Sequence, residues 1–340
     1  MRRRMKKAAY FSELSDQKVR CLLCPHLCTL SPGQRGLCRT RINRDGILEA
    51  ENYGHVVALS MDPVEKKPLF HYNPGSQILS VASYGCNLHC PWCQNWTISQ
   101  GRPEGQLLLP ESLAGLMKER GAGQIAFTYT EPFMWYEYIM DFSSPDLWRE
   151  GAPDIVLVTN GYINPDPLEG ILERITAVNL DIKAFDDTIL RRSTGAGLQV
   201  ILDNARRIHE AGIHLELTYL IVTGVNDERE AIRSFVRWVA DTLSPDIPVH
   251  FSRYYPAWKW NEPPTSPLLM QEVLQEAARS LTYVYGGNMA GEEDTRCPSC
   301  GHPVIIRAGY AVENRLVEGD HCPHCGQRVA VTLSGRSGGT

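Results

Sequence analysis

At 340 residues the chain is long enough to bury a large hydrophobic core, so its 11 cysteines are not needed as crosslinks of a small domain. The formal net charge of -5 and the pI near 6.1 give no general attraction to a nucleic-acid backbone, and nucleic-acid binding is not implied. The basic start MRRRMKKAAY has no apolar segment behind it, and no window approaches the roughly 18 apolar residues of a membrane span. We therefore expect a soluble, cytoplasmic protein without a membrane partner, whose thiols stay reduced.

Residues 1–77 are predicted to form an N-terminal region with four cysteines close enough in sequence to bind one metal. These are Cys21, Cys24, Cys28 and Cys38. Four thiols and the turn glycines Gly33 and Gly36 favour a closed site for zinc or for an auxiliary four-iron cluster, with His26 as an alternative to one thiolate. In the following loop, Lys66 and Lys67 are interpreted as solvated charges, and a role beside an anionic cluster is the alternative.

Residues 78–290 alternate short apolar runs with amphipathic segments, the pattern of repeated βα units. The strand candidates are ILSVASYG, QIAFTYT, DIVLVTNGY, AVNLDIKAF, HLELTYLIVTG, IPVHFSRYY and LTYVYGG. Two helices are predicted by apolar stripes, one through Ile232, Phe235, Val236, Val239 and Leu243, the other through Met270, Val273, Leu274 and Ala277 behind the start signals Ser266 and Pro267. Such alternation implies a parallel sheet, and about six or seven units are fewer than the eight of a closed barrel.

The stretch YGCNLHCPWCQNW follows the first strand candidate and spaces Cys86, Cys90 and Cys93 as CxxxCxxC. Ligands bind at the carboxyl ends of parallel strands, which argues against three cysteines that are only small core residues. A zinc site completed by His89 is the alternative, but so short a loop would have difficulty aiming His89 at the same ion. An iron–sulfur cluster suits three soft thiolates better, and on a four-iron cube they leave one iron free for another ligand.

Residues 291–340 are predicted to form a C-terminal module in which CPSCG and CPHCG flank a short insert. Two CxxC knuckles are typical of a zinc ribbon, with Cys297, Cys300, Cys322 and Cys325 as ligands. A module this short cannot bury a core, so a structural zinc is the simplest explanation, with an iron or rubredoxin-like centre as the alternative. We interpret His302, His321 and His324 as solvated bystanders and the tail LSGRSGGT as disordered.

The CxxxCxxC loop, with Trp92 just before its third cysteine, closely resembles the signature of the radical S-adenosylmethionine (SAM) superfamily. The resemblance implies an α/β fold with a partial TIM-type (β/α)6 barrel over residues 78–290. It also implies a 4Fe-4S cluster on the three cysteines, with SAM on the fourth iron. An electron from a donor such as flavodoxin or ferredoxin would cleave SAM to methionine and a 5′-deoxyadenosyl radical, which abstracts a hydrogen atom from the substrate.

The same resemblance indicates SAM contacts after two later strands. In TYTEPF, Glu131 stands where the superfamily has the glutamate of its glycine-glycine-glutamate motif, although Tyr129 and Thr130 replace the glycines. Glu131 is expected to accept from the SAM ammonium group. VTNGY matches the TNG segment of the pyruvate formate-lyase activating enzymes, which makes Asn160 a candidate SAM contact, with a simple turn at Asn160 and Gly161 as the alternative.

Two further strands carry the remaining candidates. In NLDIKAF, Asp181 and Lys183 share one face through the two-residue period of a strand. A strand-end salt bridge is the alternative, but the match to the Asp-x-Lys pair of the activating enzymes implies Lys183 on the SAM carboxylate and Asp181 on a polar edge of SAM. In PVHFSRYYP, His250 maps onto the histidine that approaches the SAM ribose, and a purely structural histidine is the alternative.

Several segments together look like the radical SAM member of the AmmeMemoRadiSam system: CLLCPHLC, DPVEKKPLFHYNPGS, GCNLHCPWCQNW, TYTEP, HFSRYYP and YVYGGN. That family is similar to glycyl-radical activating enzymes, and its genes accompany those of Memo-like and AMMECR-like proteins, which are therefore candidate partners. The first functional hypothesis is activation of a partner protein through a glycyl radical. The second is modification of a small molecule, an RNA or a protein side chain, and the third is a non-enzymatic electron carrier or zinc-ribbon binding module.

Overall fold

The computed structural model describes residues 5–148, 151–289, 291 and 293–334. Residues 335–340, which make up most of the tail expected to be disordered, lie outside the described residues. Within the described ranges, no helix is both long enough and apolar enough to cross a membrane.

The N-terminal region consists of short strands that pack against the central sheet. Its seven strands are β1 Lys6–Lys7, β2 Phe11–Glu13, β3 Val19–Cys21, β4 Thr29–Leu30, β5 Arg41–Arg44, β6 Ile47–Ala50 and β7 His55–Val56. They form two antiparallel sheets, β1-β6-β5 and β2-β3-β4, while β7 pairs with a later strand. Val19, Leu23 and Leu30 belong to the same hydrophobic core as Leu79 and Val81 of the central sheet. In its described part, the N-terminal region therefore shares the core of the central sheet.

The predicted strands of the core region form one continuous sheet. The next nine strands are β8 Ala58–Pro63, β9 Gln77–Ala82, β10 Gln106–Leu107, β11 Gln124–Phe127, β12 Asp154–Thr159, β13 Ala177–Asp181, β14 His214–Ile221, β15 Val249–Arg253 and β16 Val284–Gly287. β10 pairs with β7, and the other eight follow the order β16-β15-β14-β13-β12-β11-β9-β8. All seven predicted strands run parallel, and β8 adds an antiparallel edge strand. Because β8 and β16 are opposite edges, the barrel is not closed.

Helices connect these strands, and the two that the apolar stripes predict are among them. They are α1 Trp96–Ser99, α2 Pro110–Glu119, α3 Tyr136–Phe142, α4 Pro165–Leu172, α5 Asp187–Thr194, α6 Leu198–Glu210, α7 Arg229–Trp238 and α8 Pro267–Ala277. One π turn, Val239–Leu243, extends α7, so the predicted stripe is confirmed across both segments. In α8, Ser266 is the N-cap and Pro267 the first helical residue, where its missing N–H costs nothing.

A buried carboxylate fastens the segment after β8 inside the sheet. Glu216 of β14 is fully buried and accepts hydrogen bonds from the backbone N–H groups of Phe70 and His71, at 3.0 and 2.7 Å. It also accepts from Nε2 of His214 at 3.0 Å and Nε2 of His250 at 2.6 Å. Burial opposes ionisation of Glu216, but its two histidine partners hold its pKa well below the ordinary value.

The C-terminal module is a small antiparallel sheet that packs on the edge of the central one. Its strands are β17 Thr295–Arg296, β18 Pro303–Ala308 and β19 Ala311–Asn314. Val304 and Ile305 share a hydrophobic cluster with Phe70 and with Tyr285 of the edge strand β16. The guanidinium of Arg307 lies 4.2 Å from the centre of the Phe70 ring and donates to the Phe70 carbonyl at 2.6 Å. The module thus covers the open edge at β16.

Candidate active site

The carboxyl ends of the parallel strands surround a cavity of about 320 Å³ that is open to solvent. The cavity brings together seven of the sequence-predicted site residues. They are Cys86, Cys90, Cys93, Glu131, Asn160, Asp181 and Lys183. Thr218 of β14 and Ser252 of β15 also line the cavity. This is the edge of a parallel sheet at which ligands bind.

The cysteine loop is held in place by a contact with the N-terminal region. Gly85 has φ +96°, a conformation that favours glycine, and directly precedes Cys86. A Cβ at this position would lie 2.3 Å from Cγ2 of Thr40 and 2.6 Å from the carbonyl oxygen of Cys38. Only glycine allows the two backbones to approach this closely. The N-terminal region therefore sets the position of the loop.

The three thiols of the loop are chemically suited to a soft metal cluster. Cys90 is 8% exposed, and Cys86 and Cys93 are half-buried. Burial raises the pKa of Cys86 well above its ordinary value and that of Cys90 to about 12, so a bound cation is needed to keep these sulfurs ionised. Among the residues that line the cavity there is no histidine and no fourth cysteine. His89 is not part of the lining, which argues against the zinc alternative.

Glu131 is held at the cavity by three internal donors. Its Oε1 accepts from Thr159 Oγ1 at 2.6 Å and from the Phe133 N–H at 3.2 Å, and its Oε2 accepts from the Asn160 N–H at 2.9 Å. Burial raises the pKa of Glu131 to about 7, although these hydrogen bonds oppose the shift. A carboxylate has about four acceptor positions, so one remains for a donor in the cavity.

Asn160 links Glu131 to the cysteine loop. Its Nδ2 donates to Oδ1 of Asn87 at 3.0 Å and lies 3.8 Å from the sulfur of Cys86. Its Oδ1 accepts from the Tyr162 N–H at 2.9 Å, the short-range bond of a turn. Asn160 therefore combines the turn role with a place beside the first cysteine.

Asp181 ends β13 and forms an ion pair with Lys183, which is the strand-end salt bridge that the sequence offered as the alternative, and both residues line the cavity. Burial disfavours the Lys183 ammonium, but Asp181 and the sulfurs of Cys90 and Cys93 raise the pKa of Lys183 above its ordinary value. The second oxygen of Asp181, Oδ1, is buried and has no hydrogen-bond partner. A buried acceptor without a partner is costly, which indicates that a ligand donor satisfies it.

His250 is the one predicted SAM contact that does not line the cavity. It lies on the same face of β15 as Ser252 but two residues earlier, and it is 2% exposed. Its ring is stacked against Tyr285, packs edge-on against Phe70 and hydrogen bonds to Glu216. The alternative of a structural histidine fits this placement, because the buried carboxylate of Glu216 hydrogen bonds to the His250 ring below the cavity.

The sequence reasoning did not identify a polar cluster on the near wall. Asp62 of β8 accepts from Lys66 at 2.8 Å, Lys67 at 2.7 Å and the Tyr129 hydroxyl at 2.5 Å. Burial alone would raise the pKa of Asp62, but these hydrogen bonds hold it well below the usual range. Lys67 is only 1% exposed, so its interpretation as a solvated charge is wrong, whereas Lys66 is half exposed.

Tyr129 extends this polar cluster into the loop that carries Glu131. It has φ +66°, a strained conformation that costs about 1–3 kcal/mol for a residue other than glycine. Its carbonyl accepts from Nδ2 of Asn95 at 2.8 Å, and its ring lies 4.9 Å from the Lys67 ammonium. The sequence signal for this polar cluster was that TYTEP contains a tyrosine and DPVEKK an aspartate and two lysines, groups that can pair with one another. Because the two segments have no fixed spacing, the sequence does not predict that they meet.

The two outer cysteine groups differ in geometry. In the C-terminal group, the sulfurs of Cys297, Cys300, Cys322 and Cys325 all lie within 4.8 Å of one another, close enough for a single ion. Within the described part of the chain, the other two cysteine groups do not meet that spacing. Cys21, Cys24, Cys28 and Cys38 instead line a small cavity of their own. His302, His321 and His324 are not members of the C-terminal set.

Comparisons with known proteins agree with this geometry. The family model of the radical SAM superfamily matches residues 80–236. The uncharacterized protein MJ0808 of Methanocaldococcus jannaschii is 37% identical over 338 residues, which cover 97% of this chain and 100% of that protein. A pyruvate formate-lyase-activating enzyme of Clostridium pasteurianum is 28% identical over 157 residues, or 44% of this chain and 63% of that enzyme. A solved radical SAM methyltransferase from Sphaerobacter thermophilus has a TM-score of 0.48 and 19% identity, over 63% of this chain and 66% of that chain.

The family match and the sequence relatives identify the class of protein. The chain belongs to the radical SAM superfamily and is homologous to glycyl-radical activating enzymes and other radical SAM enzymes. The family implies a 4Fe-4S cluster and SAM. The residues at the cavity fit that pair, because three thiols leave a cluster iron without a protein ligand and the unpartnered Asp181 oxygen needs a donor.

Replacing Gly85 with alanine should disturb the cysteine loop, because the added Cβ overlaps Thr40 and the Cys38 carbonyl. We expect Gly85→Ala to lower the free energy of unfolding by about 1–3 kcal/mol and to reduce the iron bound after reconstitution. Gly115→Ala is the matched control, since nothing lies within 4 Å of its added Cβ. Thermal melts and iron analysis of both variants check this expectation, and normal iron binding by Gly85→Ala would contradict it.

Proposed function

We propose that Cys86, Cys90 and Cys93 bind a 4Fe-4S cluster and that the adjoining cavity binds SAM. The observation that carries this proposal is one open cavity with three soft thiols and the unpartnered, buried Oδ1 of Asp181. When bound, the cluster and SAM supply reductive cleavage of SAM to a 5′-deoxyadenosyl radical that abstracts hydrogen from the substrate.

The polar residues of the cavity would bind and orient the zwitterionic nucleoside. Glu131 keeps one acceptor position for an ammonium group, while its three internal donors fix its orientation. Lys183 supplies a cation for a carboxylate, and Asp181 accepts an N–H or O–H on its unpaired oxygen. None of these residues must transfer a proton, because hydrogen-atom abstraction by a cofactor radical needs no protein base.

Replacing one of the cysteines proposed to bind the cluster tests whether the protein cleaves SAM as an enzyme. With anaerobic reconstitution, dithionite and SAM, the wild-type protein should release 5′-deoxyadenosine, and Cys90→Ala should release none because the cluster loses a ligand. Leu268→Ala, at a residue 64% exposed on α8, is the control and should keep the activity. Chromatography of the products measures both variants. A wild-type protein that loads iron but never yields 5′-deoxyadenosine would support the non-enzymatic carrier instead.

For the substrate, we propose activation of a partner protein by formation of a glycyl radical. Support comes from the relative of C. pasteurianum, which is a pyruvate formate-lyase-activating enzyme. Memo-like and AMMECR-like proteins are the candidate partners, and flavodoxin or ferredoxin is the candidate electron donor. The solvent-open cavity would have to admit a loop of the partner.

The polar wall of the cavity favours a second candidate function. Lys66, Lys67 and Tyr129 line the cavity, and a glycine to be activated offers no side chain for them to recognise. Modification of a small molecule, an RNA or a protein side chain gives these groups a polar target. This alternative therefore rests on the composition of the near wall.

Electron paramagnetic resonance separates the two candidate functions. Reduced enzyme, SAM and a candidate partner protein should give a carbon-centred doublet assigned to the partner if a glycyl radical forms. Deuteration of the partner's glycines should narrow that signal. A partner that acquires a stable mass change without the doublet would instead show the second function.

We also propose zinc as the metal of the C-terminal group. Its sulfurs pair at 3.5 Å between Cys297 and Cys325 and at 3.7 Å between Cys300 and Cys322. The two CxxC turns repeat the same bond, from the Gly301 N–H to the Cys297 carbonyl and from the Gly326 N–H to the Cys322 carbonyl. Such twin knuckles with four thiols are typical of a closed structural zinc site.

Loss of a zinc ligand should unfold the module without removing the cluster chemistry. We expect Cys322→Ala to lose about one zinc per chain and to become cleavable by protease within residues 293–334, because structural zinc provides most of the folding free energy of so small a module. His324→Ala is the control, since that histidine lies outside the sulfur set. Zinc analysis and limited proteolysis measure the effect. Retention of zinc by Cys322→Ala would contradict the assignment.

A further inference from the structure

The near wall of the cavity carries more positive than negative charge. Lys66 and Lys67 line the cavity, whereas Asp62, the acid that pairs with both, is not part of the lining. Asp62 accepts from Lys66 through Oδ1 at 2.8 Å and from Lys67 through Oδ2 at 2.7 Å. One carboxylate behind the wall therefore balances two ammonium groups, and one positive charge remains.

The other nearby acids are engaged elsewhere. Glu65 is buried, does not line the cavity and accepts from the Gly75 N–H at 2.7 Å. Two acids do line the cavity, but Asp181 is paired with Lys183 and Glu131 is held by its three internal donors. Within the described ranges, the ion pairs of both near-wall lysines are with Asp62.

The surplus charge lies where water solvates it poorly. Lys67 is 1% exposed, and its ammonium lies 4.9 Å from the centre of the Tyr129 ring. Lys66 is half exposed and approaches Asp62 from the solvent side. An ammonium has three N–H donors, and each lysine gives one of them to Asp62. A buried cation is costly unless its charge is matched, so this wall favours an anionic ligand.

The backbone that carries the two lysines is fixed on both sides. Val64–Lys66 forms a single 3-10 turn after β8, and the N–H of Lys67 closes it on the carbonyl of Val64 at 3.0 Å. Further along, Glu216 accepts from the Phe70 N–H at 3.0 Å. Cations that are already held in position bind a ligand with little further ordering cost.

The cosubstrate offers no group for these cations. SAM has one carboxylate, which the proposed function assigns to Lys183. Its ammonium and sulfonium groups are positive, so Lys66 and Lys67 would repel them. The surplus charge on the near wall is therefore left for the substrate.

We propose that Lys66 and Lys67 form a subsite for the carboxylate of a small carboxylic acid that is the substrate. The inference rests on the proposed function and specifies its second candidate. One negative charge matches the surplus on the wall, whereas a phosphate monoester carries about -1.5 to -2 and would leave a poorly solvated negative charge. Because SAM also has to fit in this cavity of about 320 Å³, the remaining space suits a small acid better than a polypeptide loop.

Acetate is the probe for this subsite, because it offers one carboxylate and no other polar group. Carbon-13 relaxation of labelled acetate gives its dissociation constant with anaerobically reconstituted, unreduced protein, with and without saturating SAM. The wild-type protein should bind acetate in a saturable way under both conditions. Absence of saturable binding would overturn the proposal. Loss of binding on addition of SAM would also overturn it, because the site would then belong to the SAM carboxylate.

Removing the charge of the half-exposed lysine tests the assignment of the residues. We expect Lys66→Gln to weaken acetate binding by about tenfold, because one charge-assisted hydrogen bond is lost. Lys18→Gln is the matched control, since Lys18 is exposed and does not line the cavity. An unchanged dissociation constant for Lys66→Gln would contradict the assignment.

Removing the internal competitor separates a binding role from a structural one. Asp62→Asn releases both ammonium groups from their shared carboxylate, so acetate should bind about tenfold more tightly. If the lysines only neutralise Asp62, the variant should melt at a lower temperature with no gain in acetate affinity, which would overturn the proposal. Circular dichroism shows whether the variant is folded, and if it is unfolded the result with Lys66→Gln decides.

Two competitors define the class of ligand. Inorganic phosphate and the blocked peptide acetyl-glycyl-glutamyl-glycinamide are titrated against labelled acetate. We expect neither to displace acetate as well as unlabelled acetate does. Better displacement by phosphate would indicate a phosphorylated substrate, and better displacement by the peptide would indicate an acidic side chain of a partner protein. Either result would overturn the assignment to a small carboxylic acid.

Failure of this proposal can be distinguished from failure of the proposed function. Acetate binding is measured on unreduced protein, whereas release of 5′-deoxyadenosine is measured after reduction. Acetate binding without that release would contradict the enzyme function and support the subsite. Release of 5′-deoxyadenosine without acetate binding would support the enzyme function and overturn the subsite.

Discussion

The buried charge of Glu216 is the constraint on which the organisation of this enzyme depends. A carboxylate that is fully excluded from water must be paired, and leaving such a group without its partner costs about 3–5 kcal/mol. Glu216 meets this requirement by accepting from the segment at Phe70 and His71 and from two strand histidines. It therefore fixes the chain between β8 and β9 beneath the cavity and ties β14 to β15.

The hydrogen bonds of Glu216 determine which residues lie below the cavity and which lie at its wall. Below the cavity, Phe70 packs against His250 and under the Arg307 guanidinium, which joins the C-terminal module to the sheet. Toward the cavity, the same segment brings Lys66 and Lys67 to the wall, where Asp62 of β8 forms ion pairs with both. The appended regions are thus parts of the active-site wall and of its support.

The sequence predicts the parts of this fold that have a local signature. Seven parallel strands and the stripes of α7 and α8 follow from apolar periodicity, because each buried face repeats with the period of its element. The cysteine loop and the pair Asp181 and Lys183 follow from spacing alone, and the cavity contains both. Their direct roles in binding are part of the proposed function.

Contacts between residues far apart in the sequence could not be predicted from local patterns. β8 was missed because an antiparallel edge strand has no crossover helix to mark it, and it falls in the region assigned to the N-terminal cysteines. Lys67 is buried because Asp62 and Tyr129 approach it from separate segments. His250 lies outside the cavity because Glu216, on the neighbouring strand, is placed to hydrogen bond to its ring. A lone acid in an apolar strand has no local pattern that reveals its partners.

The three cysteine groups place one ligand type in three different surroundings. The sulfurs on the two C-terminal knuckles are close enough for one ion, and such an ion would stabilise a module without its own core. Cys21, Cys24, Cys28 and Cys38 line a small cavity together with the buried guanidinium of Arg41. The loop of Cys86, Cys90 and Cys93 opens to the polar strand ends, so in the proposed function the iron without a protein ligand would face the cavity that Glu131, Asp181 and Lys183 line. In that proposal the opening is what would admit SAM, because a fourth cysteine there would close the metal site to the cosubstrate.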